Sequence, residues 1–96
     1  MQGKLLNSVT LKMLTQKFSK VDLMTMNLIQ NWPKIVGDAA KISRPEKLNL
    51  RQEMLIVKVK TGHAMIMQYQ QIRIRDAVNL FFGRQYVKTI LIKSEQ

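Results

Sequence analysis

Between residues 54 and 83 the apolar positions change their period, and most of the chain can be read from that change. Leu55, Val57 and Val59 alternate with Ile56, Lys58 and Lys60, the period of two that sends successive side chains to opposite faces of a strand. Past Thr61 and Gly62, the positions Met67, Gln71, Ile74, Val78 and Phe81 recur at intervals of three and four, the spacing of a helix with one buried stripe. The pattern predicts one long helix over 62–82, capped by Thr61 and stopped by Gly83, a residue suited to the left-handed conformation that ends helices. Its outer face would carry Gln68, Arg75 and Asn79.

Upstream, Leu6, Val9 and Met13 share one stripe, with Leu11, Leu14 and Phe18 beside it, which predicts a short amphipathic helix over 3–18. Leu28, Trp32, Ile35, Val36 and Ala39 predict a second helix over 23–40; Ser19 and Asp22 are both suited to begin it, and Asp22 is favoured as its N-cap. Pro33 lies inside it, where the ring removes a donor and crowds the carbonyl four residues back, so a kink or break is expected near Asn31 and Trp32. Gly37 costs helix stability and suggests that another backbone passes close by. Trp32 and Met67 are assigned to the core.

Pro45 biases Arg44 away from helical geometry and should end the helix. Residues 47–51 alternate again, with Leu48 and Leu50 inward and Lys47, Asn49 and Arg51 outward. A turn at Gln52 and Glu53 would join this strand to 54–60 as a hairpin. A β-branched run over 87–93 predicts a last strand, with Ile90 and Ile92 inward and Thr89, Leu91 and Lys93 outward. The expected fold is α+β, a three-stranded sheet packed against two long helices in the order α-α-β-β-α-β. A helical segment (1–21) would precede the domain (22–93), and a tail (94–96) too short to do much would follow.

With 96 residues, 46% of them hydrophobic and 23% charged, the chain has the size and composition of one folded domain. Cysteine is absent, which excludes disulfides and thiolate metal sites. There is neither a signal-peptide pattern nor an apolar run near 20 residues, so cytoplasm is the default location and no membrane partner is expected.

Charge alters the picture more. Sixteen Lys and Arg against six Asp and Glu give a formal +10 and a pI near 10.3, and such a domain is drawn to polyanions. Nucleic acid comes first among them, because each neutralised phosphate releases condensed counterions. The inward and outward assignments put Lys47, Arg51, Lys58, Lys60 and Lys93 on one side of the sheet, a cluster with no acid among them. Arg73, Arg75, Arg84 and Lys88 would form a second patch around the end of the long helix. Aromatic residues are few on these faces, so binding should follow the phosphate backbone with weak sequence preference.

Catalysis needs convergent groups, and the chain is poor in them. His63 is the only histidine, the acids are scattered, and no phosphate-cradling glycine motif occurs. No enzyme activity, metal or cofactor is expected.

Asn31-Trp32-Pro33-Lys34-Ile35-Val36-Gly37, then Arg44-Pro45-Glu46-Lys47-Leu48, then Leu55-Ile56-Val57-Lys58-Val59 resemble the DciA family of bacterial replicative-helicase loaders. The likeness continues through Val78-Asn79-Leu80-Phe81-Phe82-Gly83 and Ile90-Leu91-Ile92, with the Trp32, Pro33 and Gly37 run its sharpest element. The resemblance implies a KH-like domain and association with the hexameric helicase DnaB and the initiator DnaA. It also implies affinity for single-stranded or fork DNA and a part in loading the helicase at replication initiation. The chain lacks the G-x-x-G loop of KH domains. Two alternatives from other classes stay open: a KH-like RNA-binding module, and a protein-interaction domain whose charge serves only solubility.

Overall fold

The first described helix starts on two mutually satisfied caps. In this computed structural model, which describes residues 19–95, the Ser19 hydroxyl accepts from the Asp22 N–H at 3.1 Å, and the Asp22 carboxylate accepts from the Ser19 N–H at 3.2 Å. Ser19 is therefore the N-cap of α1, Lys20–Val36, and Asp22, expected as the cap, is its third residue. The reciprocal box satisfies two orphan donors where a lone cap satisfies one. The helix expected over 3–18 lies outside the described residues.

α1 stays helical through Pro33, so the expected break does not occur. Pro33 and Ile29, whose carbonyl loses its donor, are both exposed, and water can take the vacated position on that side. Leu28 and Trp32 remain buried. The helix closes four residues earlier than expected, at Gly37, which has φ +66° and donates its N–H to the Pro33 carbonyl. Apart from its own neighbours along the chain, no described atom lies within 4 Å of where a Gly37 Cβ would stand. The glycine thus serves the positive φ rather than a close-passing backbone. A 3-10 turn, Gly37–Lys41, leads to the sheet.

Among the described residues the sheet has three strands, β1 (Ser43–Asn49), β2 (Met54–Val59) and β3 (Thr89–Ser94), in spatial order β1-β2-β3. β1 is antiparallel to β2, and β3 is parallel to it. β1 begins four residues before the expected start and includes Pro45, with the register shifting between Pro45 and Lys47. An edge strand beside a bulge is where a sheet tolerates proline. The turn after β1 spans 50–53, with Glu53 at φ +54° and the Asn49 side chain accepting from the Gln52 N–H at 3.0 Å.

The single helix expected between β2 and β3 is two: α2 (Ala64–Tyr69) and α3 (Gln71–Phe82), separated at Gln70 with φ −100° and ψ 7°. The bend lets α2 pack on β3 while α3 reaches both α1 and β3, so Met67 and Ile74 are both buried. Thr61 does not cap this segment; its hydroxyl donates to the Glu95 carbonyl, and His63 precedes α2 with no side-chain capping bond. Across the described residues the order is therefore α-β-β-α-α-β, and the helices are not two long ones.

All the described helices pack on one face of the sheet, where Leu48, Leu55, Val57, Val59 and Ile90 meet Leu28, Trp32, Met67, Ile74, Val78 and Val87. Burying one such side chain stabilises the fold by about 1.5–3 kcal/mol. Trp32, 3% exposed, donates its indole N–H to the Ser43 hydroxyl at 3.1 Å, which ties α1 to the start of β1. Asn79, expected outside, is buried: its Nδ2 donates to the Val87 carbonyl at 2.8 Å and its Oδ1 accepts from the Val87 N–H at 2.9 Å. Phe81, expected inside, is 37% exposed. The buried stripe turns toward Asn79 because the loop entering β3 needs both backbone groups of Val87 satisfied away from water.

Candidate nucleic-acid interface

The register of the sheet decides which cations share a face. Arg44 stands opposite Lys58, and Lys58 beside Lys93, so one row across three strands carries three positive charges. The next row holds Lys47, Ile56 and Leu91, and the third Asn49, Met54 and Thr89. Arg44, Lys47, Leu91 and Lys93 are exposed, and among the described residues no helix packs over this face. Lys60 continues the alternation just past β2, its N–H donating to the Ile42 carbonyl at 2.8 Å.

Of the five residues assigned to this face from sequence, Lys47, Lys58 and Lys93 lie on it and Lys60 adjoins it. Arg51 is in the 50–53 turn at the opposite end, on the order of 20 Å from Lys60 at about 3.3 Å per strand residue. Contrary to expectation, the face is not free of acids: Lys58 Nζ lies 3.9 Å from Glu46, and Arg44 pairs with Glu95 at 3.0 Å. Glu46 reaches Lys58 because the bulge re-aims it, which alternation could not have indicated. Sequence reasoning misses Arg44 and Lys41 as candidates. A strand starting at residue 47 leaves them in a loop, and Pro45 is the signal that misleads.

The second expected patch does not form one cluster. Arg75 donates to the neighbouring Asp76 carboxylate at 2.9 Å and 3.1 Å, and Arg73 is exposed on the same turn of α3. Arg84 lies beyond the other end of that helix, about 13 Å away at 1.5 Å per residue, with its guanidinium over the Tyr86 ring at 5.6 Å. Lys88 reaches across to Glu53 at 3.1 Å.

Pro33 and Gly37, expected as structural or partner residues with Trp32, are both exposed at the end of α1. A different apolar surface occupies the helical layer: Met65, Ile66, Tyr69 and Ile72 are exposed on α2 and the first turn of α3, Tyr69 to 87%. Helical spacing carries this signal: Met65, Tyr69 and Ile72 stand at i, i+4 and i+7, on the side of the helix opposite the buried stripe of Met67, Ile74 and Val78, an apolar stripe on the face that faces solvent.

Among the described residues, no group of three or more His, Asp and Glu is placed to hold a metal ion. No described helix is long and apolar enough to cross a membrane. Cations aligned across an uncovered sheet face, with an apolar surface on the helical layer, define a small basic α+β domain. Its family is specific: the model of DciA, the Dna(CI) antecedent, matches residues 4–92, and the chain belongs to the DciA family. Membership implies a role in loading the DnaB helicase in DNA replication, and the family is one of loaders and adaptors rather than a known enzyme family. No curated protein matches the chain.

Proposed function

We propose that this domain is a non-enzymatic, KH-like adaptor of the bacterial cytoplasm that holds single-stranded or fork DNA while it associates with DnaB, with DnaA as a further partner at initiation. The observation that carries the DNA contact is the row of Arg44, Lys58 and Lys93 on the uncovered face, with Lys47 and Lys60 alongside. The five cations outnumber the two acids beside them, Glu46 and Glu95, and like charges at adjacent cross-strand positions repel one another; a phosphodiester backbone supplies further anions at a regular spacing along one path. The mixed sheet with helices on one side supports the KH-like reading. The G-x-x-G loop is absent, so the grip is assigned to the sheet and not to a glycine loop.

The helicase is assigned to the helical layer, where Met65, Ile66, Tyr69 and Ile72 offer exposed apolar surface; apolar and aromatic anchors dominate protein interfaces. Separate surfaces for the two partners are what an adaptor requires.

The test is binding of the purified chain to DnaB, and to matched DNA and RNA oligomers, across a salt series. Capture of DnaB and a steep salt dependence on DNA are expected, and Tyr69→Ser with Ile72→Ser should abolish capture while leaving DNA affinity within about two-fold. No capture of DnaB at low and moderate salt overturns the adaptor role. A preference for RNA that depends on the 2′-hydroxyl favours an RNA-binding module instead.

A further inference from the structure

A hollow of about 200 Å³ opens where the 3-10 turn meets the end of the β1–β2 ladder, and Lys41, Ser43, Arg44, Lys58, Lys60 and Glu95 line it. Four cations from three chain segments therefore converge on one small volume. The acids in reach are Asp38, 3.9 Å from Lys41, Glu46, 3.9 Å from Lys58, and Glu95, 3.0 Å from Arg44. The first two pairs sit at the limit of ion-pair contact, where surface pairs contribute little. Glu95 differs, because its main chain is fastened on both sides. Its N–H donates to the Val59 carbonyl at 2.7 Å, and its carbonyl accepts from the Thr61 hydroxyl. The backbone thus delivers this carboxylate to the cations.

We propose that the hollow is a phosphodiester site in which Glu95 stands in for the phosphate when no ligand is bound. This rests on the reading of the sheet face as a nucleic-acid surface and adds Lys41 and Arg44 to it. A guanidinium pairs with carboxylate or phosphate through the same fork of donors, so one can replace the other on Arg44 without rebuilding the site. An arriving phosphate takes Arg44 from Glu95, Lys41 and Lys60 neutralise its remaining charge, and the carboxylate turns to solvent. While empty, the site is kept from self-repulsion by its own acid. When filled, it holds DNA less tightly than its cations alone would, which suits a protein that must let go of the strand.

The experiment uses the full chain and a short fluorescent oligo(dT), with affinity measured by anisotropy over a salt series and folding checked by thermal melting. Glu95→Gln should tighten binding about three- to five-fold, the upper part of the range for one surface ion pair removed as a competitor. Asp76→Asn removes the same charge from the helical layer and should change affinity by less than about 1.5-fold. Arg44→Gln should weaken binding and lower the salt slope by about 0.7, the share of one single-strand phosphate. Adding Glu95→Gln to Arg44→Gln should gain nothing further. The gain should be the same on oligo(U), since the phosphodiester is common to both. Equal gains from Glu95→Gln and Asp76→Asn, a gain that persists without Arg44, or a gain on oligo(U) alone each overturns the site. All three leave the wider nucleic-acid reading standing. Absence of any binding by the unmodified chain at low salt overturns both.

Discussion

On β2, Leu55, Val57 and Val59 are wholly buried in the core, while Met54, Ile56 and Lys58, their immediate neighbours in sequence, look outward between Lys47 on one flank and Leu91 and Lys93 on the other. The inner face is governed by volume and by satisfied polar groups; the outer face is governed by which charges stand beside which. Substitutions inside should therefore move stability and leave the character of binding alone. Substitutions outside should move binding and leave stability alone.

Trp32 gives the largest expected effect. Replacing it with Ala removes a side chain that is 3% exposed and breaks the hydrogen bond to Ser43, and should cost about 3–5 kcal/mol in chemical denaturation. Weakened partner binding with a stability change below about 1 kcal/mol would instead make Trp32 an interface residue and blur the division between faces. Asn79→Ala comes next. It strands the Val87 N–H and carbonyl in the interior, and a cost of about 2–3 kcal/mol is expected, read as a lower denaturation midpoint with the oligonucleotide salt slope unchanged.

The outer face gives smaller energies and a different readout. Lys58→Ala with Lys60→Ala should leave stability within about 0.5 kcal/mol and reduce the salt slope on single-stranded DNA by about 1.4, about 0.7 for each phosphate that the two lysines cease to neutralise. An unchanged slope would move the DNA contact off this face. Lys93→Ala alone, at the end of the three-strand row, should lower the slope by about 0.7 and affect all base sequences alike.

The core of this molecule is legible in its sequence because burial follows a period. Leu55, Val57, Val59, Ile90, Trp32, Met67, Ile74 and Val78 all lie where alternation or helical spacing puts them. Interruptions read less well, since their effect depends on surroundings that periodicity does not carry. Pro33 leaves α1 whole because the carbonyl it deprives faces water, whereas the segment after Gly62 contains no proline and still breaks at Gln70, where packing against two different elements requires a change of direction. Polar residues on the core side are harder still. Asn79 has the composition of a surface position and is fixed inside by the backbone of Val87, eight residues on. The charged face is legible in its membership more than in its arrangement: the pairing of Arg44 with Lys58 depends on a strand that starts before Pro45, and the pairing of Arg44 with Glu95 joins residues fifty-one positions apart.

The parallel pairing of β2 with β3 bears on how the chain acquires its fold. β2 meets β1 across a four-residue turn, but its other flank is filled only when residues 89–94 return over the helical crossover. Closing so long a loop costs entropy before any reward arrives. Until it closes, the most apolar strand of the sheet presents an unpaired rim to whatever strand comes by, the situation from which proteins aggregate. Removing β3 should therefore lower solubility before it lowers helix content.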